Sequence, residues 1–182
     1  MSIVQLTTPL TQKAIAPLKA GDSVLITGQI YTARDAAHER LMRLDEAGTQ
    51  WPFDATGAII YYAGPAPAPP GFPIGSVGPT TSYRMDPYLK AVLSKGVLAT
   101  IGKGDRSEEV RDLCAEYGAV YLVAVGGAGA LLAERVTSSE VIAFPELGPE
   151  AITRLIVTDF PAIVAYDIHG GNVFDEVVRY TR

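Results

Sequence analysis

The sequence predicts an α/β fold in which helices flank a mixed sheet. Apolar strand segments alternate with amphipathic helix segments through the middle of the chain, and strand segments follow one another near its end. The 182 residues are 48% hydrophobic and 19% charged, which is typical of a globular protein with a real core. We therefore expect one domain, residues 1–182, that binds ligands at the carboxyl ends of its parallel strands.

Charge and cysteine content argue against several classes of function. The formal net charge of −5 disfavours nucleic acid, because binding phosphate requires a positive field. The single cysteine, Cys114, cannot form an internal disulfide, and alone it cannot hold zinc or an iron–sulfur cluster. No apolar run approaches the roughly 18 residues of a membrane span, and the N-terminus lacks a signal pattern. We therefore expect a cytoplasmic protein with no membrane or nucleic-acid partner.

The first elements are an extended lead-in over residues 1–20 and a strand over 23–30, which is apolar in its middle and followed by a helix. Thr32 is predicted to cap that helix, and Gly48 is predicted to end it. The apolar face of the helix is formed by Ala33, Ala37, Leu41 and Leu44.

Charged residues stand in the first turns of this helix. A cation there opposes the helix dipole, so Arg34 needs a nearby anion. Asp35 could supply that anion, and a ligand carboxylate could also supply it; the sequence leaves both open. His38 lies four residues after Arg34, so the two side chains can share one face of the helix.

A stiff loop and a polar turn follow the next strand, residues 58–62. Five prolines between positions 64 and 73 exclude a helix or a central strand. We interpret this segment as a surface loop that wraps toward a site, in preference to a ligand for a proline-binding module. The turn after it carries three adjacent hydroxyl groups, on Thr80, Thr81 and Ser82.

The helix after this turn is predicted to begin with Asp86 as its N-cap and Pro87 as its first residue. Arg84 then lies just ahead of a helix N-terminus, where free backbone N–H groups favour anions. The plainer alternative is a capped turn with an exposed arginine. The helix is predicted to end at Gly96, and a strand over 97–101 follows.

Lys103 follows that strand between two glycines, which let the backbone come close to a ligand and leave the ammonium group exposed. Arg34 also follows a strand, the first one, and Arg84 precedes a helix. We therefore expect the three cations to converge at one edge of the sheet, where they would match a dianionic ligand.

The last third of the chain is predicted to contain a third helix, a strand and a strand-rich tail. The helix has Val110, Leu113, Cys114 and Tyr117 on its inner face, which assigns Cys114 to the core. After a strand over 119–125, a dinucleotide loop would need glycine at position 132, which is leucine, so we interpret the glycines from 126 to 129 as close packing of a helix on the sheet. The tail is predicted to be hairpin-like, with strands at 152–157, 163–166 and 173–174.

Several motifs, in this order, resemble the β subunit of class I fumarase and of L-tartrate dehydratase. The resemblance covers most of the chain, roughly from Leu18 to Phe174, and its specificity comes from the ordered set of motifs. They are Thr32-Ala33-Arg34-Asp35-Ala36-Ala37-His38, Gly64-Pro65, Gly78-Pro79-Thr80-Thr81-Ser82 with Arg84-Met85-Asp86, Ile101-Gly102-Lys103-Gly104, Val125-Gly126-Gly127-Ala128 and Asp159-Phe160-Pro161-Ala162.

The resemblance implies a hydro-lyase that reversibly removes water from a 2-hydroxy dicarboxylate, with fumarate hydration to malate as the expected reaction. It also implies a swivelling β/β/α domain like the carboxyl-terminal domain of the one-chain enzymes. A [4Fe-4S] cluster would be bound by three cysteines of a separate alpha subunit, in an α2β2 complex, and this chain would bind no metal. L-tartrate dehydratase or mesaconase is the alternative within the family, and a non-catalytic anion-binding module is the alternative outside it.

The resemblance also implies roles for individual residues. Arg34, Arg84 and Lys103 would bind the substrate carboxylates, since arginine offers a planar fork and lysine a point charge. Thr80 would be the hydroxyl nearest the reacting carbon and the base for its proton, although an alcohol needs nearby cations or a proton relay for that role. Supporting positions would be Asp35, His38, Thr81 and Asp86.

Overall fold

The computed structural model describes residues 3–177 and has helices packed against a mixed sheet, in agreement with the predicted α/β class. The strands are β1 (Ile3–Thr7), β2 (Ser23–Thr32), β3 (Ile59–Tyr61), β4 (Ala99–Gly102), β5 (Val120–Val123), β6 (Val136–Ala143) and β7 (Ile152–Tyr166). The α-helices are α1 (Gln12–Ile15), α2 (Asp35–Glu46), α3 (Asp86–Ser94), α4 (Glu108–Tyr117), α5 (Gly129–Ala133) and α6 (Phe174–Val177). Two 3₁₀ segments occupy Ser82–Met85 and Pro145–Glu150.

The sheet closes on itself through its longest strand. Strands β1 to β5 pair in parallel in chain order, whereas β7 runs antiparallel to β2, β5 and β6. Because β7 pairs with both β2 and β5, the strands β2, β3, β4, β5 and β7 form a closed, barrel-like sheet, and β1 and β6 extend it. The parallel strands β2 to β5 consequently present their carboxyl ends at the same edge.

The central strands are buried on both faces, which explains their nearly continuous apolar sequences. Alternate residues of the closed sheet, among them Ile59, Ile101 and Leu122, fill its interior. The other faces of the strands pack against helices: Ile60 belongs to a cluster with α2 and α3, and Tyr121 to a cluster with α3 and α4. Cys114 lies in the latter cluster, as its position in the helix pattern predicts.

Two predicted helix caps are wrong. Thr32 is the last residue of β2, and its buried hydroxyl accepts a hydrogen bond from the Thr153 backbone N–H at 3.2 Å. Arg34 occupies the N-cap position instead. Asp86 is the first residue of α3, because the preceding 3₁₀ turn feeds directly into this helix and Met85 stands at the N-cap.

The two ends of the chain also differ from the predictions. The lead-in contains strand β1 and helix α1, and β6 was not predicted at all. The two predicted strands of the tail are one strand of 15 residues, β7. The final hairpin is reduced to a single bridge between Tyr166 and Asn172, and Phe174 begins α6.

Gly129, the first residue of α5, makes a different contact from the predicted one. A Cβ added at Gly129 would lie 2.4 Å from Ser76 Oγ and 2.9 Å from the backbone nitrogen of Gly78. The helix therefore packs closely against the loop that leads into the Thr80 turn, and the interpretation as contact with the sheet is wrong for this glycine.

Candidate active site

Two of the predicted cations follow the carboxyl ends of parallel strands, at one edge of the sheet. Arg34 lies two residues after the end of β2, and Lys103 directly follows β4. The parallel register pairs Thr32 with Tyr61 and Tyr61 with Ile101, so these strand ends are level. The edge is therefore the place where a ligand would bind in a parallel sheet.

The segment that contains Thr80 crosses this edge between the ends of β3 and β4. The backbone N–H of Thr80 donates to the Tyr62 carbonyl at 2.6 Å, and the Lys103 N–H donates to the Thr80 carbonyl at 3.2 Å. The Ser82 N–H in turn donates to the Lys103 carbonyl at 3.0 Å, which makes a parallel bridge between Thr81 and Lys103. These three bonds fix the backbone of the Thr80 turn directly beside that of Lys103.

Arg34 is held by an anion that the sequence did not reveal. Its Nη2 lies 3.3 Å from Oε1 of Glu150, and the other oxygen of Glu150 accepts the Ala36 N–H at 2.9 Å. Glu150, and not Asp35, is therefore the acid that pairs with Arg34. A Cβ added at Gly64 would lie 3.1 Å from Nη1 of Arg34, so Gly64 leaves room for the guanidinium group.

Arg84 projects from the 3₁₀ turn toward the start of α2. Its Nη2 lies 3.5 Å from Oδ2 of Asp35, and its side chain is 38% exposed. Asp35 thus pairs with the second arginine, while its neighbour Arg34 pairs with Glu150. Arg34 therefore stands directly beside Asp35, the residue of α2 that pairs with Arg84.

Lys103 is the third cation and is exposed. No Asp or Glu among residues 3–177 forms a salt bridge with it. The lysine chain passes close to the loop after β5, since a Cβ added at Gly126 would lie 3.8 Å from Lys103 Cδ. Its ammonium group is therefore available to a negatively charged ligand.

His38 lies beneath the arginines and is fully buried. Its ring stacks on Tyr88 with centroids 5.4 Å apart and meets Tyr62 edge-on at 5.6 Å. Burial lowers the pKa of His38 from 6.5 to about 4, although its hydrogen bond with the Arg34 carbonyl partly opposes the shift. The imidazole is therefore neutral at pH 7, and its Nδ1–H donates to the Arg34 carbonyl at 2.8 Å.

Asp86 faces inward to an arginine that the sequence did not single out. Its Oδ1 accepts a hydrogen bond from Nε of Arg106 at 2.7 Å, and its Oδ2 accepts the Ser107 N–H at 3.2 Å. The Arg106 side chain has no solvent exposure, whereas 17% of Asp86 is exposed. Sequence reasoning missed Arg106 and Glu150 because neither lies in a pattern that reports its distant partner.

The described residues do not fit a metal centre. Among residues 3–177, no three His, Cys, Asp or Glu side chains stand together in a way that could hold a metal ion. Cys114 is buried in the core, and burial raises the pKa of its thiol to about 12, so it is a poor metal ligand. The side chains within residues 3–177 are therefore unsuited to bind an iron–sulfur cluster.

No helix within residues 3–177 is both long enough and apolar enough to cross a bilayer.

Comparisons with known proteins agree on one family. The sequence model described as Fumarase C-terminus matches residues 1–177. The chain is 43% identical to "Fumarate hydratase class I, anaerobic" of Escherichia coli (strain K12) over 156 residues, which are 85% of this chain and 28% of that protein. It is 41% identical to "Putative L(+)-tartrate dehydratase subunit beta" of Methanocaldococcus jannaschii over 92% of this chain and 89% of that protein. The chain thus spans less than a third of the class I fumarate hydratase and nearly all of the subunit.

Proposed function

Because the chain belongs to the Fumarase C-terminus family, we propose that it is the beta subunit of a class I fumarate hydratase, a hydro-lyase that reversibly hydrates fumarate to malate. The placement of Arg34, Arg84 and Lys103 on segments at the edge that the Thr80 turn crosses supports this proposal, since three cations suit a dicarboxylate. The names of the two relatives, a fumarate hydratase and a tartrate dehydratase subunit, support the reaction class.

The proposed role of the three cations is to bind both carboxylates of the substrate. Arg34 and Arg84 are paired with Glu150 and Asp35 at distances of 3.3 and 3.5 Å, and all four side chains are 25–38% exposed. Ion pairs of this kind contribute about 0–1 kcal/mol, so a substrate carboxylate can take over the guanidinium groups at little cost. Lys103 adds a point charge that needs no such exchange.

Thr80 is the proposed catalytic residue for the proton transfer. In dehydration, the carbon next to one carboxylate loses a proton and the adjacent carbon loses its hydroxyl group. A neutral alcohol is a very weak base, but the neighbouring Lys103 and Arg84 would favour the alkoxide form of Thr80. The same cations would stabilise the negative charge that develops on the substrate carboxylate as the proton leaves.

The proposed enzyme requires a second chain. We assign the [4Fe-4S] cluster to an alpha subunit, because the residues of this chain do not fit a cluster. The subunit name of the archaeal relative supports such a partner, and α2β2 is the proposed stoichiometry. We further propose that residues 1–182 form one domain of the swivelling β/β/α type, and that the complex works in the cytoplasm.

L-tartrate is the second candidate substrate, favoured by the relative that the chain matches over 89% of its length. Mesaconate, a methylated dicarboxylate, is a third. All of these compounds carry two carboxylates, and the three cations bind that shared feature. The substrates must therefore be separated by assay.

The proposal can be tested by mixing the chain with its cognate alpha subunit under anaerobic conditions and following fumarate formed from L-malate, oxaloacetate formed from L-tartrate and the loss of mesaconate absorbance. L-malate, L-tartrate and mesaconate are assayed side by side, with each subunit alone as a control. We expect turnover only in the mixture, and the preferred substrate identifies the enzyme. A mixture that is inert toward every dicarboxylate while its cluster is intact would overturn the proposal and favour an anion-binding module without catalysis.

A further inference from the structure

Beneath the exposed cations, one buried arginine contacts the segments that carry two of them. We propose that Arg106 is a positioning residue that aligns Arg84 with Lys103, an inference that rests on the proposed function. Its side chain has no solvent exposure, so it acts through these segments and not by touching substrate.

The first contact of Arg106 holds the end of the 3₁₀ turn that carries Arg84. Its Nε donates to Oδ1 of Asp86 at 2.7 Å, and Asp86 is the first residue of α3, two positions after Arg84. The second carboxylate oxygen of Asp86 accepts the Ser107 N–H at 3.2 Å. The loop that begins with Lys103 is thereby tied to the helix that follows Arg84, through both oxygens of one carboxylate.

The guanidinium group of Arg106 lies between two tyrosine rings. Its Cζ is 5.4 Å from the ring centre of Tyr62 and 5.1 Å from that of Tyr121, and its Nη1 donates to Thr100 Oγ1 at 3.3 Å. Both distances are within the range of cation–π attraction. The side chain is therefore held in one orientation by contacts on its faces as well as along its edge.

Tyr121 extends this arrangement to the Thr80 turn. Its hydroxyl donates to the Gly104 carbonyl at 2.7 Å and lies 2.9 Å from Ser82 Oγ. Ser82 is itself packed closely on β4, since a Cβ added at Gly102 would lie 1.9 Å from Ser82 Oγ. Tyr121 therefore contacts both Gly104, which follows Lys103, and Ser82 in the turn that holds Thr80.

An arginine is suited to this position in a way that lysine is not. A buried ion pair is weak evidence for stability, because desolvation offsets much of the attraction. The planar fork, however, can hold Asp86 with Nε and Thr100 with Nη1 while it stacks between two rings. A lysine at this position would keep the charge and lose the ability to orient both segments.

The test compares Arg106→Lys in the reconstituted complex in two backgrounds, the parent and Arg84→Ala. Inhibition by succinate, a dicarboxylate that cannot be dehydrated, is measured by its competition with the substrate or, where turnover is lost, by calorimetry. We expect Arg106→Lys to weaken succinate binding by about tenfold in the parent and by less than about twofold without the Arg84 side chain, because residues that act through one another are not additive. Arg111→Lys, a change on the exposed part of α4, is the control and should leave binding within about twofold.

Equal weakening in both backgrounds would overturn the inference, because a general loss of structure is independent of Arg84. If Arg106→Lys does not fold, Asp86→Asn breaks the same charged contact from the other side and is expected to give the same pattern. A failure of the proposed function is distinguishable, since the unmodified complex would then neither turn over a dicarboxylate nor bind succinate. That outcome would remove the inference together with the function on which it rests.

Discussion

The candidate site, at the carboxyl ends of the parallel strands, has two layers that differ in how their charged groups are held. In the outer layer, Arg34 and Arg84 are 25% and 38% exposed and pair with acids at 3.3 and 3.5 Å. In the inner layer, His38 and Arg106 are buried among tyrosines, and Arg106 holds Asp86 at 2.7 Å.

The difference indicates a division of labour. Exposed ion pairs are weak and exchange their partners readily, which suits groups that must bind and release a substrate. Buried polar groups are costly to leave unpaired, which suits groups that must hold one arrangement. Changes in the outer layer should therefore affect activity more than stability, and changes in the inner layer should affect both.

The largest expected effect belongs to the outer layer. Arg84→Ala removes the proposed charge-assisted contact to a substrate carboxylate, and we expect kcat/KM of the complex to fall by about 10³-fold or more, in line with the loss of one partner of a close charge pair. The melting temperature should change little, because the pair with Asp35 is more than a third exposed and its atoms are 3.5 Å apart. Arg43→Ala removes an exposed arginine of α2 away from the site and serves as the control. Unchanged turnover in Arg84→Ala would exclude Arg84 from the site.

The second effect separates chemistry from binding within the same layer. Thr80→Val removes the hydroxyl group and keeps the shape, while the backbone bonds to Tyr62 and Lys103 remain. We expect kcat to fall by about 10²–10³-fold, as for loss of a general base, with succinate binding unchanged within about threefold. Thr158→Val, at an exposed threonine of β7, is the control and should retain turnover. A Thr80→Val enzyme with normal kcat would show that another group removes the proton.

The third effect concerns the inner layer and the dependence of stability on pH. The pKa of His38 is lowered by burial to about 4 from 6.5, so the unfolded chain binds more protons between these two values. The contribution of His38 is complete above pH 6.5 and is lost as the pH falls toward 4, with about 2 kcal/mol lost between pH 7 and pH 5. Denaturant unfolding at pH 5, 6 and 7 measures this loss.

His38→Phe should reduce that pH dependence by about the same 2 kcal/mol, because phenylalanine has no proton to gain. A slope that is identical in His38→Phe and in the parent would contradict a buried, neutral His38.

The smallest effect is expected for the acid that holds Arg34. Glu150→Gln removes the charge opposite Arg34 but keeps an oxygen for the Ala36 N–H. Because the pair is partly exposed, we expect KM to rise by no more than about fivefold, with kcat little changed. Steady-state kinetics on the complex provide the measurement. A loss of kcat/KM as large as that of Arg84→Ala would mean that Glu150 belongs to the inner layer.

The sequence predicted the parts of the fold that depend on local patterns. Strand β4 is a short continuous apolar run, and helix α4 has a clear apolar periodicity. The cations after β2 and β4 could be assigned to one edge of the sheet from parallel topology alone. Strand β6 was missed because most of its residues are not buried, so it lacks an apolar pattern. The length of β7 was missed because Asp159 and Pro161 interrupt its apolar sequence.

The inner layer could not be predicted, and the reason is physical. Arg106 reads as a solvated loop residue, since arginine is rarely buried unless it is paired, and its partner Asp86 is 20 residues away. Glu150 is 114 residues from Ala36, whose N–H it accepts. Pairings of this kind are set by the tertiary fold and leave no local periodicity in the sequence.

A structure of the reconstituted complex with bound succinate tests the central claim most directly. We predict that the carboxylate oxygens lie within hydrogen-bond distance of Arg34, Arg84 and Lys103, and that the succinate methylene groups face Thr80. Binding of succinate at another place, with the pairs Arg34–Glu150 and Arg84–Asp35 intact and Lys103 without contact, would contradict the account.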